Sequence, residues 1–383
     1  MAQVKVGMLG LGQRGLQHLN ALWQIEEAQI VALCDPYPDN LQEDKLQRFV
    51  DGFALDGIRT HVSFDEMLQA EDLDAVYFSI PPGSHAGELV RTAQAGLHIF
   101  AEKPVSLFLD EALEMEAAIR SAGVIATVGF QQRHDNWHAA MKAFLADKQM
   151  VMITSVGNGA LESHSVKHTH TEKEGGPGNR VWTANYAWSG ATVVESGIHQ
   201  LDLMRYWAGD VAWVEGRYIH RDPEDIEDGG DNPYGYSVTF GFQSGMVANM
   251  IITRLRKTFY GDGYQDIAWN HGHLKVEGEG PVAYYYDGPY PPPDKVDSSG
   301  LRHPLPVPPR NNSTLEINQA FVRAVGERDE NHLLNTFSSS MNSHAAVLGA
   351  NFSDQLGGQR IDLQELLTDD RYAEFRQKPT PKP

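Results

Sequence analysis

Two short stretches of the sequence carry side chains that could act together on a hydroxyl group. In "IFAEKPVSL", Lys103 follows an apolar run and an acid; in "ATVVESGIHQLDLMRYWAGD", Glu195 and Asp202 flank His199. Residues three or four apart share one face of a helix, so the second set can point in one direction. A neutral imidazole can take a hydroxyl proton near neutral pH, and a lysine ammonium can stabilise the developing alkoxide.

The elements that would position Lys103 are visible in the first third of the chain. Short apolar runs alternate with segments of helical pattern, namely "VKVGML", "QIVALCD", "DAVYFSI", "HIFAE" and "VIATVGF". This alternation predicts an α/β domain of the Rossmann type, with a doubly wound parallel sheet, over residues 1–130. The carboxyl ends of parallel strands meet at one edge, where ligands bind, and Lys103 follows the fourth of these runs.

The loop "GLGQRG", between the first run and a helical segment, has the spacing of a dinucleotide site. Its three glycines would permit a tight turn, the approach of a pyrophosphate, and close packing of the helix on the strand. The free N–H groups at the helix start would attract the phosphates. The predicted cofactor contacts in this loop are Gly10, Leu11, Gly12, Gln13, Arg14 and Gly15.

The second apolar run ends in Asp35, 20 residues after Gly15. A carboxylate at this point accepts hydrogen bonds from the ribose hydroxyls and repels a 2′-phosphate, which favours NAD over NADP as the cofactor. The alternative is an acidic turn, "DPYPDN", that only caps a structural strand.

Two further loops follow strands of the same sheet. In "SIPPGSH" the prolines end the strand and bring the loop over the cofactor edge, so Pro81, Pro82 and His85 are predicted cofactor contacts. Glu102 and Lys103 are predicted to face the same edge after the next strand. A histidine at a helix start is also typical of a cap or a solvated residue, and a lysine after a strand can be a solvated loop charge.

These motifs together resemble the Gfo/Idh/MocA oxidoreductases, which include glucose–fructose oxidoreductase, inositol dehydrogenases and many sugar dehydrogenases. The resemblance rests on the glycine loop, the acid after the second strand, "PPGSH", "EKP" and the later acid–histidine–acid helix. The segments "TLEINQAFVRAV" and "MNSHAAVLGANFSDQLGGQRIDL" resemble the family's closing helices. Glu195 stands where the family usually has aspartate, and Ser189 and Gly190 replace the usual glycine pair.

The resemblance implies an NAD-dependent oxidoreductase acting on a sugar, cyclic polyol or glycoside. In this reading His199 removes a hydroxyl proton while hydride leaves the same carbon, and Lys103 polarises the oxygen. Glu195 and Asp202 orient the base or the substrate.

Two other functions remain open from the sequence. The first is an NAD-dependent glycoside hydrolase, which oxidises C3 transiently, eliminates the aglycone and returns the hydride. The second is a non-catalytic regulator that binds NAD or a sugar. A regulator needs neither a base nor a hydride path, so Lys103 and His199 together count against it.

A metal site is the main alternative for the histidines. The segment "ESHSVKHTHTEKE" holds His164, His168 and His170 near the acid–histidine–acid helix. Zinc requires three or four ligands at defined spacing. No such pattern accompanies them and a dehydrogenase also explains Lys103, so no metal is predicted, and the insertion is interpreted as substrate-facing or solvated.

Residues 131–383 are predicted to form a substrate-binding and oligomerisation domain of the α+β class. Its candidate strands alternate polar and apolar residues, which is typical of a half-buried antiparallel sheet. Residues 281–309 are rich in proline and tyrosine and are predicted to form a surface excursion or an arm to a partner subunit. The resemblance implies a large open sheet in this domain and a homodimer or homotetramer built through it.

Substrate contacts are predicted on both sides of the domain boundary. Trp182 could stack on a sugar ring, and Arg133 or Arg180 could bind an anionic substituent. Lys103, Glu195 and His199 complete the predicted substrate set.

Composition limits the setting of the 383-residue chain. Its formal net charge of −20 argues against nucleic acid as a partner, because phosphates would be repelled. Its single cysteine excludes an intrachain disulfide framework and favours a reducing cytoplasm. No apolar run is long enough to span a bilayer, and the first residues lack the pattern of a signal peptide. A small molecule is therefore the expected ligand.

Overall fold

The apolar runs of the first third form five of the six strands of the predicted parallel sheet, and the sixth, Arg59–His61, was not predicted. The computed structural model describes residues 3–160, 183–226, 230–255, 261–289 and 298–378. Six parallel strands pair in the order β3-β2-β1-β4-β5-β6, which confirms the doubly wound arrangement. Their bounds are Val4–Leu9 (β1), Ala28–Cys34 (β2), Arg59–His61 (β3), Ala75–Phe78 (β4), His98–Ala101 (β5) and Ala126–Val128 (β6).

Helices cover both faces of this sheet, which is why its central strands read as continuous apolar runs. All four residues of β4 are buried. The helices of this part are Gln13–Leu22, Glu43–Leu46, Phe64–Ala70, Glu88–Gln94 and Leu109–Ala122.

A second sheet of nine strands follows, in the order β14-β13-β12-β11-β7-β10-β9-β8-β15. Among the described strands of this sheet only the β7–β10 pair is parallel, so the prediction of a large, mainly antiparallel sheet is confirmed. Its strands are Met150–Ala160 (β7), Val211–Ile219 (β8), Gly235–Phe242 (β9), Val247–Leu255 (β10), Asp262–Trp269 (β11), Gly272–Glu277 (β12), Gly280–Tyr285 (β13), Arg302–Pro304 (β14) and Ile361–Asp362 (β15).

One face of this second sheet is packed and the other is open. Along β10, Ala248, Met250 and Ile252 are buried, whereas Ile251 is 41% exposed. Residues alternate between the two faces of a strand, so the buried residues mark the side that the helices cover and Ile251 marks the open side.

The helices of the second part of the chain are Asn136–Leu145, Tyr186–Ser189, Thr192–Glu195, Gly197–Ala208, Ser313–Glu327, Phe337–Gln355, Leu363–Thr368 and Ala373–Arg376. Within the described ranges, no helix has both the length and the apolarity needed to cross a membrane.

The helix Ser313–Glu327, called here the returning helix, packs on the first sheet although it lies late in the sequence. Its residues Ile317 and Phe321 are fully buried in the same apolar core as Val6 and Leu19. The Phe321 ring also packs edge-on against Phe100 of β5. The core of the first domain is therefore not built by residues 1–130 alone.

The proline-rich segment pairs with the second sheet and then contacts the helix Asn136–Leu145. Strands β13 and β14 pair antiparallel near one edge of that sheet. The carbonyl of Pro308 then accepts a hydrogen bond of 3.1 Å from the Trp137 indole. The described parts of this segment are residues 281–289 and 298–309.

Candidate active site

The glycine loop is closed by contacts that leave no room for side chains at two positions. Gly10 has φ +92°, and a Cβ there would lie 2.5 Å from the carbonyl oxygen of Ser79. A Cβ at Gly15 would lie 2.0 Å from the carbonyl oxygen of Gly10. Gly12 immediately precedes the first turn of the helix Gln13–Leu22, so the free N–H groups of that helix point towards the loop.

Asp35 fastens the same loop to the end of β2. Its Oδ2 accepts from the Leu11 amide at 2.9 Å. Its Oδ1 accepts from the Tyr37 amide at 2.9 Å and from the Asn40 side chain at 3.1 Å. The Leu11 side chain is fully buried in the core, so this residue shapes the loop through its backbone.

One continuous pocket runs along the carboxyl edge of the first sheet, from Asp35 to the helix Gly197–Ala208. We call it the nucleotide pocket and the helix the site helix. The pocket is lined by Gly10, Gly12, Gln13, Arg14, Gln17, Asp35, Pro36, Tyr37, Asn40, Ser79, Ile80, Pro81, Glu102, Lys103, Gln131, Thr183, Glu195 and His199.

Lys103 and Glu195 meet at the far end of this pocket. The Lys103 ammonium donates to the Glu195 carbonyl oxygen at 2.7 Å and to its Oε1 at 3.2 Å. Both side chains are largely enclosed, at 10% and 21% exposure. The Lys103–Pro104 peptide bond is cis. The lysine is thus held by a residue that lies 92 positions later in the sequence.

His199 lies on the first turn of the site helix and lines the same end of the pocket. Burial and the nearby Lys103 charge hold the pKa of His199 well below its usual value, so the ring is neutral near pH 7. Its Nδ1 is buried and has no hydrogen-bond partner among the described residues. Nε2 is therefore the ring nitrogen that remains available on the pocket side.

Glu102 is a buried carboxylate directly beside Lys103. Its Oε1 accepts from Arg14 Nε and from His18 Nε2, each at 2.7 Å, and its Oε2 accepts from the Lys103 amide at 3.1 Å. Burial alone would favour protonation, but the Arg14 charge and the His18 hydrogen bond outweigh it and hold the pKa of Glu102 well below its usual range. A negative charge is therefore fixed at this point of the pocket wall.

Asp202 and Arg133 are placed differently from their predicted roles. Two hydrogen bonds of 2.7 Å join the Asp202 carboxylate to the Arg133 guanidinium, and Ser343 donates to Asp202 at 2.9 Å. Both residues are buried and neither lines the nucleotide pocket. The pair instead ties the site helix to the turn Gln131–His134, so we assign neither residue a substrate contact.

His85 and Pro82 also lie outside the pocket wall, although Pro81 is part of it. His85 is 5% exposed, and its Nδ1 lies 3.7 Å from Glu88. His85 is therefore a buried residue of the segment after the loop and does not line the pocket. The predicted substrate contacts Arg180 and Trp182 lie outside the described residues.

The histidines considered for a metal site, His164, His168 and His170, also lie outside the described residues. Within the part of the chain that the structure describes, no three His, Cys, Asp or Glu side chains are arranged to hold a metal ion.

Several pocket residues are not identified by sequence reasoning. Ser79 directly follows the end of β4, Gln131 lies three residues after the end of β6, and these positions were the available signal for them. Tyr37 and Asn40 belong to "DPYPDN", which reads equally well as a plain turn. His18 carries no sequence signal, because it is one residue on the buried face of an ordinary amphipathic helix.

The residues present fit a dinucleotide such as NAD. The loop at Gly10 and Gly15 excludes side chains and so admits a phosphate close to the backbone, at a helix start. Asp35 lies where the ribose of the adenosine half would bind. Lys103 and His199 lie at the other end, where a reacting carbon would meet the cofactor.

Comparisons with known proteins agree with this geometry. Residues 4–130 match the model of the oxidoreductase family with an NAD-binding Rossmann fold, and residues 152–277 match the Gfo/Idh/MocA C-terminal domain. The chain belongs to the Gfo/Idh/MocA oxidoreductase family. The first domain is accordingly an NAD-binding Rossmann domain, as the glycine loop predicted, while the preference for NAD over NADP at Asp35 stays a prediction.

Relatives in this family include inositol dehydrogenases. The chain is 29% identical over 261 residues to the uncharacterized oxidoreductase YrbE of Bacillus subtilis, covering 68% of this chain and 69% of that one. It is 27% identical over 288 residues to inositol 2-dehydrogenase of Rhizobium meliloti, covering 73% and 77%. A glycosyl hydrolase family 109 protein of Shewanella pealeana is 32% identical, but over only 29% of this chain and 25% of its own.

The fold extends over nearly the whole length of solved structures. An oxidoreductase from Agrobacterium radiobacter, in complex with NAD+, L-tartaric acid and magnesium, superposes with a TM-score of 0.73. The match covers 95% of this chain and 100% of that one at 16% identity. At this identity the likeness establishes the family's fold and not its substrate.

Proposed function

We propose that this member of the Gfo/Idh/MocA family is an NAD-dependent dehydrogenase that interconverts a hydroxyl carbon and a carbonyl carbon in a sugar or cyclic polyol. The observation that supports this proposal is the meeting of Lys103, Glu195 and His199 at one end of the nucleotide pocket. A base and a cation beside a cofactor site are the groups that oxidation of a hydroxyl requires.

The three side chains have separate tasks in this proposal. His199 takes the hydroxyl proton on Nε2, because its ring is neutral and its other nitrogen is buried. Lys103 donates a hydrogen bond to the same oxygen and stabilises the charge that develops on it. Glu195 holds Lys103 in place. When bound, NAD supplies the acceptor for the hydride that leaves the carbon.

The substrate class rests on the relatives and on the donors of the pocket. Inositol dehydrogenases match this chain over about two thirds or more of its length. Gln131 and Thr183 line the same pocket as His199, and such side chains suit the neighbouring hydroxyls of a polyol. The hydrolase alternative has a relative that matches less than a third of the chain, so we do not favour it.

Mass spectrometry of the products tests the proposal. The protein is incubated with NAD and a mixed panel of free sugars, inositols and glycosides. A product lighter by two hydrogens, with an equal amount of NADH, is the expected result and names the substrate. A cleaved glycoside without net NADH would instead identify a hydrolase that returns the hydride, and no product from any compound would favour a regulator.

We also propose that the protein is a homo-oligomer in which a second copy covers the open face of the second sheet. Tyr264, Val156 and Ile251 lie side by side across three neighbouring strands of that face. Tyr264 is 56% and Ile251 41% exposed. A row of exposed apolar residues across a broad sheet is typical of a surface that a partner covers.

The single cysteine supports a cytoplasmic location for the assembly.

A further inference from the structure

A buried chain of hydrogen bonds connects the returning helix to the wall of the nucleotide pocket. Asn318 Nδ2 lies 2.9 Å from His18 Nδ1, and His18 Nε2 lies 2.7 Å from Glu102 Oε1. His18 and Asn318 are both completely buried. They are 300 residues apart in sequence, so only the docking of the returning helix brings them together.

The chemistry of these groups sets the direction of each hydrogen bond. A carboxylate can only accept, so His18 Nε2 carries the hydrogen that points to Glu102. In a neutral imidazole the other nitrogen then accepts, and the Asn318 amide group donates to it. Burial and the Arg14 charge lower the pKa of His18 below its usual value, which agrees with a neutral ring.

The same helix also holds the other partner of Glu102. Arg14 donates to Glu102 through Nε and to the Thr314 hydroxyl through Nη1, at 2.7 and 3.3 Å. Thr314 and Asn318 are one turn apart, and the Asn318 amide also donates to the Thr314 carbonyl at 2.7 Å. Arg14 and Glu102 both line the nucleotide pocket.

We propose that His18 and Asn318 are positioning residues for the cofactor site: they form a relay of fixed polarity that holds Glu102 and, through it, Arg14 in the geometry that binds NAD. His18 and Asn318 themselves do not line the nucleotide pocket; they act through Glu102, which also accepts a hydrogen bond from the Lys103 amide. The proposal therefore concerns cofactor affinity and holds for any hydroxyl substrate.

Replacing the Asn318 amide with a carboxylate provides the test. In Asn318→Asp, both neighbours of His18 are carboxyl groups that only accept when ionised, so both bonds survive only while the pair of His18 and the new carboxyl group holds one additional proton. When the pH rises and that proton is lost, a single N–H is shared between two carboxylates and Glu102 loses part of its support. We expect NAD affinity in this variant to fall about three- to tenfold as the pH rises, whereas the unmodified protein shows no such change.

The other groups near His18 do not produce this dependence. Glu102 stays ionised between pH 6 and 9, because the Arg14 charge and the His18 hydrogen bond hold its pKa well below its usual range. Tyr77 packs against the His18 ring, and burial raises its pKa well above its usual value, so it stays neutral. The new dependence in Asn318→Asp would therefore report the titration of His18.

The measurement is the dissociation constant of NAD by calorimetry across this pH range, with the folded fraction followed by circular dichroism. Gln319→Glu is the matched control, because it adds a charge at an exposed neighbouring position of the same helix. Asn318→Ala removes the donor without adding charge and is expected to weaken NAD binding about three- to tenfold at every pH. Unchanged affinity in folded Asn318→Asp and Asn318→Ala would overturn the proposal.

Nitrogen NMR of the unmodified protein keeps the proposal testable if Asn318→Asp does not fold. The His18 ring should be the neutral tautomer with hydrogen on Nε2 throughout the pH range in which the protein binds NAD. A ring protonated on Nδ1, or an imidazolium, would contradict the relay.

Discussion

At the scale of single residues, the reactive end of the pocket depends on how two side chains are held. Lys103 is fixed by two oxygens of Glu195, while the buried His199 Nδ1 has no hydrogen-bond partner within the described ranges. Lys103, Glu195 and His199 were all predicted as site residues from the sequence, because a lysine after a strand and two residues on one helical face leave a local signal. The contact between Lys103 and Glu195 has no such signal.

His199→Asn should remove most of the activity while leaving the cofactor site intact. Loss of a positioned base costs about 100- to 10,000-fold in kcat. The dissociation constant of NAD should stay within about twofold, since the glycine loop and Asp35 are untouched. Steady-state kinetics and calorimetry measure the two quantities. The exposed His271→Asn serves as the control, and wild-type kcat in His199→Asn would exclude His199 as the base.

The pH profile should follow the lowered pKa of His199. A base works in its deprotonated form, and burial together with the Lys103 charge keeps this ring deprotonated below its usual pKa. As the pH falls through the ordinary histidine range, near 6.5, kcat/KM should therefore be retained and decline only at lower pH. An acidic limb centred at or above the ordinary value would contradict this assignment.

At the scale of elements, the site depends on how the site helix and the glycine loop are fastened. The Asp202–Arg133 pair joins the site helix to the turn after β6, and Gly15 lets the first helix approach the loop. The glycine spacing predicted the loop because all the residues of this motif lie within one short stretch of the sequence. Arg133 was predicted to bind the substrate and Asp202 to orient the base or the substrate, because the sequence shows the charges and not their mutual distance.

Asp202→Ala should destabilise the fold more than it affects NAD binding. Removing one partner of a buried ion pair leaves an uncompensated charge, here that of Arg133, and costs about 3–5 kcal/mol. The free energy of unfolding, from urea titration, should fall by that amount. Asp72→Ala, which removes an exposed partner of Lys5, should cause little change. Unaltered stability in Asp202→Ala would show that the pair is not a structural clamp.

Gly15→Ala should weaken NAD binding. The added methyl group would lie 2.0 Å from the Gly10 carbonyl oxygen, so the loop must shift away from the phosphate position. We expect a loss of about tenfold or more in NAD affinity, equivalent to one lost phosphate contact. Gly278→Ala is the control, because its methyl group meets open space. Wild-type affinity in Gly15→Ala would contradict a role for close helix–loop packing.

At the scale of the whole molecule, the two sheets serve different purposes. The first sheet gathers the nucleotide pocket along one edge, and the second supports the site helix, which packs on it at Gly197, while its other face stays open. The first sheet was predicted from apolar runs that alternate with helical segments. The second was predicted from strands in which polar and apolar residues alternate. The returning helix was not placed on the first sheet, because residues such as Ile317 and Asn318 would suit any amphipathic helix.

Ile251→Glu should change the oligomeric state. A charge in the middle of the open face would be buried without a partner if a second copy covers that face. Light scattering coupled to size-exclusion chromatography should then show a smaller particle than for the unmodified protein. Leu334→Glu, at an exposed site away from the sheet, is the control. An unmodified protein that is already monomeric would refute the proposed assembly.

The position of the returning helix also affects how the protein is made and how it can be divided. Because Ile317 and Phe321 complete the core around Val6 and Leu19, the cofactor-binding half is a discontinuous folding unit. A ribosome must synthesise more than three quarters of the chain before that half can close. An isolated fragment of residues 1–150 would expose the apolar groove that this helix fills, so the cofactor module cannot be cut out and transplanted unless the helix is supplied with it.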